Sequence, residues 1–312
     1  MPGMMRVFER TRNNHPIAVG AVDSNGELLG VMTAVRIQTL PDPLRSVSSR
    51  AVAFAEPIVD QRAESGRVLK ALISEYEQRL SDEVLFTEIR PLGTPGAEKA
   101  VLQRLGYDHY RYLNYTVDLR QSPQQLWWGL SKSCRKNIRR SERRGVTVRD
   151  MTTTEGIDLL YRFLRTSYRR SRIPLADKSL FTAALAELAD GRQLTVRVAC
   201  VDQRPIAAGV LLAFKEMVYA WYGGSERLQG LAPFDCLTWS EICWAHKQGY
   251  ACYDFGGAGF PDEPYGPRDF KAKFGGQLVN FGRYRKVHAP LRFRVARGAY
   301  AVGRHLMALK RK

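Results

Sequence analysis

One spacing occurs twice in the chain, and it constrains the fold more than any other feature. Val22-Asp23 is followed by six residues and then Gly30-Val31, and Val201-Asp202 is followed by six residues and then Gly209-Val210. Each copy runs on in the same order through a β-type run, a helical run and a short apolar strand. The 312 residues therefore divide into two copies of one mixed α/β unit rather than a single large sheet.

In the first copy, two β-type runs between Ala18 and Leu40 flank Ser24-Asn25-Gly26, a tight-turn signal. Residues 48–60 extend again, and Val68, Leu69, Leu72, Ile73, Tyr76 and Leu80 recur at helical spacing. A short buried strand at 84–89, a helix at 96–105 and one strand at 110–119 complete it. The second copy opens with an additional helix. Ser122-Pro123 begins it, and Leu126, Leu130, Cys134 and Ile138 form one stripe along it. A strand at 146–150, helices around Leu159–Tyr168 and Leu180–Leu188, a three-stranded meander, a helix from Asp235 to Lys247, a strand at 251–255 and a last strand at 277–285 follow. The expected division is 1–119, 120–288 and a basic amphipathic helix over 289–312.

Lys and Arg exceed Asp and Glu by 17, which favours a polyanionic partner: nucleic acid, a membrane surface or a nucleotide-linked substrate. No run approaches the ~18 apolar residues of a membrane span, and the N-terminus lacks a basic-then-apolar leader, so a cytoplasmic location is expected. The five cysteines form no C-x-x-C and the five histidines no H-E-x-x-H, so reduced thiols and no metal are expected.

The segment "YDFGGAGFPDEPYGPRDFKAKFGG", from Tyr253 to Gly276, combines backbone freedom with positive charge. Tyr253-Asp254-Phe255 ends a strand, and Gly256-Gly257 just beyond it lets a substrate approach main-chain N–H groups. A loop through Tyr265 leads to Arg268, Lys271 and Lys273. If 268–274 is helical, Phe270 and Phe274 share an anchoring face and Lys271 is turned away from it, toward the space the glycines leave. Asp254 is either a proton acceptor or a structural carboxylate.

Two further basic features stand out. Lys132 to Arg144 holds seven basic residues against one acid, Glu142, with Arg135, Arg139 and Arg143 in one i,i+4 row and Lys136, Arg140 and Arg144 in the next. Such rows repel one another unless an anion binds, whether tRNA phosphate, a diphosphate or an anionic lipid. Arg169, Arg170 and Arg172 precede Ile173-Pro174, and bidentate arginine contacts suit a diphosphate or carboxylate. Arg227-Leu-Gln-Gly230-Leu-Ala232 fits a pyrophosphate loop at a helix N-terminus, although Pro233-Phe234 follows at once. The C-terminal helix places Leu291, Val295, Val302, Leu306 and Leu309 on one stripe among arginines, suited to a membrane, to RNA or to packing on the second unit.

The ordered set "LSKSCRKNIRRSERRGVTV", "YAWYGGS", "YDFGGAG" and "FKAKFGG" resembles the Fem-type (FemA/FemB) peptidyltransferases of the GNAT-like acyltransferase superfamily, over about residues 17–285. The resemblance implies two tandem GNAT-like modules, each a mixed central sheet flanked by helices. It implies transfer of an amino acid from aminoacyl-tRNA to an amine of a peptidoglycan-type precursor, with aminoacyl-tRNA as co-substrate and no bound cofactor or metal. Lys271 aligns with the lysine of the family's F-K-x-x-F-G element and is assigned to the developing oxyanion or a substrate phosphate. Tyr222, before the glycine pair, is assigned to orient the amine or carbonyl. Arg170 falls where the family has an arginine that binds the precursor, although Arg172 stands where a glycine is usual. Two other functions remain open: an N-acyltransferase using acyl-CoA, through Arg227, Gly230 and Ala232, and a non-catalytic RNA- or membrane-binding protein on the same scaffold.

Overall fold

The computed structural model describes residues 2–40, 44–60, 63–80, 82–171 and 173–309, with the backbone alone at 45 and 300–309. In chain order the elements of the first half are α1 (Pro2–Glu9), β1 (Asn14–Val22), β2 (Leu28–Gln38), a 3-10 turn at Leu44–Val47, β3 (Ser49–Ala53), β4 (Ile58–Val59), α2 (Ser65–Gln78), β5 (Phe86–Ile89), α3 (Glu98–Arg104), β6 (Asp108–Tyr110) and β7 (Leu113–Asp118). The second half contains α4 (Pro123–Gly129), α5 (Lys132–Arg143), β8 (Thr147–Asp150), α6 (Thr154–Ser171), α7 (Lys178–Leu188), β9 (Leu194–Val201), β10 (Arg204–Phe214) and β11 (Met217–Ser225). It ends with α8 (Pro233–Lys247), β12 (Cys252–Gly259), α9 (Gly266–Ala272), β13 (Gln277–Val279), β14 (Arg283–Val287) and α10 (Pro290–Leu309).

The duplication is real and has a packing cause. Two mixed sheets form, ordered β1-β2-β3-β5-β14-β6, with β4 on β2, and β13-β7-β12-β11-β10-β9-β8. In each, an antiparallel hairpin leads to a strand that pairs parallel with the strand after a crossover helix, β3 with β5 around α2 and β11 with β12 around α8. The repeated glycines lie under those helices. A Cβ on Gly30 would sit 3.1 Å from Leu72 of α2, and one on Gly209 would sit 2.3 Å from the Glu241 carboxylate of α8. Glycine at this point lets the crossover helix lie close to the strand it covers.

The unit boundaries differ from the sequence division. One compact unit comprises 1–11 and 113–279, the other 12–112 and 280–312. Two stretches that each look like one strand are in fact two. Residues 108–118 break after Tyr110, and 277–287 break at Gly282, whose φ is +68°. Consequently β7, from the first half, pairs with β12 and β13, while β14, from the second half, pairs with β5 and β6. The expected single helix from Ser122 is likewise two helices. Leu130 adopts an extended ψ of 143°, and Ser131 caps α5 by accepting the Cys134 N–H. The stripe expected along it survives the break, since Leu126, Leu130, Cys134 and Ile138 all enter the core. α1, unmarked by any cap in sequence, buries Val7 and Phe8 and pairs Arg6 and Arg10 with Glu187 of α7.

The unit that contains β14 holds a buried ion cluster. Glu88 accepts from Arg90, Arg283, Arg285 and the Tyr110 hydroxyl. Burial alone would raise its pKa, but the Arg90 and Arg283 guanidiniums hold it at about 2. A carboxylate depressed from 4.5 stabilises the fold above that pH and loses the contribution as pH falls from 4.5 toward 2. Glu88→Gln is therefore expected to cost about 3 kcal/mol at pH 7 in urea denaturation, and the difference from wild type should shrink as the pH is lowered to 3.

Candidate active site

The site grows out of a fork in the second sheet. β11 and β12 pair in parallel from Met217–Cys252 to Tyr219–Asp254, where their ladder ends. Beyond that point β11 continues along β10 to Ser225 and β12 along β7 to Gly259, so the carboxyl ends of two neighbouring strands diverge. Both strands are also irregular there. Trp221 is an extra residue on β11 between the pairs Val210–Tyr222 and Leu211–Ala220, and β12 shifts register between Asp254 and Gly257. Bulges beside the mouth of an α/β sheet re-aim side chains where ligands bind.

The β12 bulge is built by its own residues. Asp254 accepts the Gly256 N–H at 2.6 Å, and Gly256 has φ +69°, with the Tyr219 hydroxyl 2.6 Å from where a Cβ would stand. Lys271 holds the turn from the other side. Its Nζ donates to the carbonyl oxygens of Phe255 at 2.7 Å, Gly256 at 3.3 Å and Gly257 at 2.7 Å. An ammonium has three hydrogens, and here each has a carbonyl. Burial lowers the Lys271 pKa to about 8, while Asp254 pulls it upward. Asp254 is itself raised by burial, against the Gly256 N–H and the Lys271 charge.

Lys271 arrives there as the helical spacing requires. Phe270 and Phe274 pack together with centroids 5.3 Å apart, Phe274 is buried, and α9 turns Lys271 toward β12. Yet the ammonium points at main-chain oxygens rather than into open space, so its geometry is that of a group shaping the bulge. Arg268 is committed in the same manner, donating to the carbonyls of Phe260 at 2.7 Å and Glu263 at 2.5 Å, which closes the 260–264 loop. Lys273 lies over the Phe270 ring. The Tyr265 ring covers Gly259, where a Cβ would come within 2.9 Å of it.

Around the fork is a group of tyrosines that the sequence only half disclosed. Tyr222 packs edge-on against Phe181 at 5.0 Å and faces Tyr168 at 6.2 Å. Burial raises Tyr168, and the hydroxyls of Tyr222, Tyr265 and Tyr219 raise it further, so four phenols share this region. Tyr168 and Tyr219 carried no motif. The period of α6 carries Tyr168, but strict alternation would put Tyr219 and Tyr222 on opposite faces of β11, and the extra residue at Trp221 breaks that alternation. Arg170, also on α6, reaches Ser167 at 3.5 Å. Arg172 lies outside the described residues.

The basic helix α5 resolves into two unlike faces. Lys132, Arg135, Lys136, Arg139 and Arg143, with Glu142 and Trp128, line an open groove of about 660 Å³. Trp128 is 61% exposed, with the Arg135 guanidinium 5.1 Å from its ring. Arg135 also donates to the Trp128 and Leu130 carbonyls, closing the end of α4, and Arg139 stacks on Trp127. Arg140 and Arg144 turn the other way. Arg140 donates to Asn137, which donates to the Asp235 carboxylate, and Arg144 lies against Gly230.

Residues 131–271, from the cap of α5 to Lys271, match the family of acetyltransferase (GNAT) domains. The match begins at the cap that opens α5 and spans the forked strands. No curated protein matches the chain by sequence. Among solved structures, FemX is similar with a TM-score of 0.70 at 14% identity, over 95% of this chain and 93% of that one. L-PGS from Bacillus licheniformis is similar with a TM-score of 0.59 at 14% identity, over 94% and 90%. A tandem GNAT protein from the clavulanic acid biosynthesis pathway gives 0.59 at 12%, over 89% and 84%. At these identities the likeness establishes the fold, a tandem pair of GNAT-like units.

Within the matched segment, the end of the 227–232 loop is already engaged. The Ala232 N–H is given to the Ser141 hydroxyl at 3.0 Å, the Leu231 N–H to the Leu228 carbonyl at 3.3 Å, and Pro233 at the start of α8 has no N–H. The buried Asp235 carboxylate already stands in the first turn of α8, where a pyrophosphate would meet like charge. On the other face of the sheet, Glu241 is fully buried, accepts the Tyr253 hydroxyl at 2.8 Å and is raised by burial to about 7. It ties α8 to β12 directly before the bulge.

Proposed function

We propose that the protein is an aminoacyltransferase that moves an amino acid from aminoacyl-tRNA to an amine of an anionic, cell-envelope precursor of peptidoglycan type. One observation carries this: the GNAT domain with the forked strands also bears an open groove of five basic side chains around an exposed tryptophan. Cations that follow a phosphate backbone, beside an aromatic ring on which a base stacks, suit a single-stranded RNA end. An acyl-CoA pyrophosphate would instead draw on the N–H groups of the 227–232 loop, two of which, Leu231 and Ala232, are already given to Leu228 and Ser141. The fold shared with FemX supports the same choice at the level of architecture.

In this proposal the acceptor amine attacks the ester carbonyl at the fork. The new amide C–N bond forms as the ester C–O bond to the tRNA ribose breaks, and the amine's proton ends on the ribose oxygen. Tyr222 orients the amine or the carbonyl. Lys271 and Asp254 are positioning residues: they hold the 255–257 main chain in the shape against which the carbonyl is placed. Arg170 is assigned to the anionic part of the precursor.

The donor is tested by consumption. Purified protein is incubated separately with radiolabelled aminoacyl-tRNAs and acyl-CoAs, together with a panel of amine acceptors. The expected result is loss of label from aminoacyl-tRNA alone. Consumption of acyl-CoA would transfer the assignment to the alternative donor and to the loop at Arg227, Gly230 and Ala232. Consumption of neither, with retained tRNA binding, would leave a non-catalytic RNA-binding protein.

A further inference from the structure

Helix α10 has two sides with different surroundings. Phe293 meets Phe86 edge-on with ring centroids 5.4 Å apart, and Arg292 donates to the Asp82 carbonyl, so this side is held to the unit that contains β14. Both contacts are with residues just before β5 or at its start. Its stripe faces elsewhere: Leu291 and Val295 are 73% and 65% exposed. With about 100° between successive residues, Val302, Leu306 and Leu309 fall in the same narrow sector as Leu291 and Val295, roughly opposite Phe293. Arg294 borders that sector on one side and is exposed, whereas Arg292 on the other is engaged by Asp82.

Residues 288–312 contain seven Lys and Arg and no Asp or Glu. No helix among the described residues is long and apolar enough to cross a membrane. An exposed aliphatic stripe bordered by arginines therefore fits a surface that is anionic outside and apolar just beneath. We propose that α10 docks the protein onto an anionic lipid bilayer. It lies in the headgroup plane, with the face of Leu291 and Val295 toward the acyl chains and the exposed Arg294 at the phosphates. RNA would satisfy the arginines but would leave the aliphatic stripe in water. The inference is independent of which donor the GNAT domain uses.

The full chain is tested by co-sedimentation with vesicles of phosphatidylcholine alone and with about one-third phosphatidylglycerol. Binding to the anionic vesicles is expected to be at least about tenfold stronger, and to weaken with salt. Leu291→Asp/Val295→Asp should abolish it and Leu291→Ser/Val295→Ser should reduce it by about tenfold, while tRNA affinity is unchanged in both. These side chains already face solvent, so the fold is retained, which circular dichroism checks. Equal vesicle binding by wild type and both variants would overturn the proposal. So would a loss of tRNA affinity without loss of vesicle binding, which would make α10 an RNA-tracking helix.

Discussion

Lys271→Met is expected to lower kcat by about 100-fold while leaving affinity for tRNA nearly unchanged. The substituted side chain fills most of the same volume but donates nothing, so the carbonyls of Phe255, Gly256 and Gly257 lose their shared partner. Main chain at the fork then relaxes, and a displacement of about 1 Å at a reacting centre costs a factor of this order. Stability should fall as well, by about 3 kcal/mol, because buried acceptors are left unpaired. The pH profile gives a separate signature. With a pKa of about 8, the amine is charged below that pH and neutral above it, and a neutral amine has one hydrogen too few for three acceptors. Activity of the wild type is thus expected to decline as pH rises through 8, and Lys271→Met should lack that limb. Unchanged turnover in the variant would remove the β12 bulge from the reaction.

Lys132→Glu/Lys136→Glu should weaken tRNA binding by roughly 100-fold near 0.1 M salt and flatten the dependence of log affinity on log salt by about 1.5. Both side chains line the groove, and neither makes a hydrogen bond or ion pair among the described residues. Melting temperature should hold steady or rise slightly, since α5 carries like charges at i,i+4 spacing and the new carboxylates face Arg135, Arg139 and Arg143. Opposite movements of binding and stability would mark a groove shaped for an anion rather than for packing. If titration at two salt concentrations shows wild-type affinity in the double variant, the groove is a solvated face and the aminoacyl-tRNA assignment falls with it. Arg135 is a poorer probe, because its guanidinium also closes the end of α4.

Much of this was legible in the chain. The paired glycines at 30 and 209 disclosed the duplication because each crossover helix needs the same clearance. The spacing of Phe270 and Phe274 placed Lys271 on the β12 side of α9. Other features were hidden for physical reasons. A strand keeps its period of two whichever sheet it joins, so runs through Arg111-Tyr112 and through Phe281-Gly282 look continuous although the chain changes sheets there. The i+4 stripe from Leu126 to Ile138 likewise continues across the cap at Ser131, which masks the break between α4 and α5. The destination of the Lys271 ammonium was invisible because it depends on carbonyls exposed by a bulge, and bulges leave little mark in residue type. The same holds for the 227–232 loop, whose pattern suits a pyrophosphate while the Ala232 N–H bonds to Ser141, far along the chain.

The reciprocal placement of β7 and β14 has a consequence for how the molecule is made. As the nascent chain leaves the ribosome, the first sheet lacks β14 until residue 287 is synthesised, and β7 waits as an unpaired strand until β12 emerges. Neither sheet completes itself in order of translation, since each waits for a strand from the second half of the chain. A fragment cut at residue 120 would present the bare edge of β12 to solvent, a template for intermolecular pairing, and should be recovered as aggregate unless β7 is supplied.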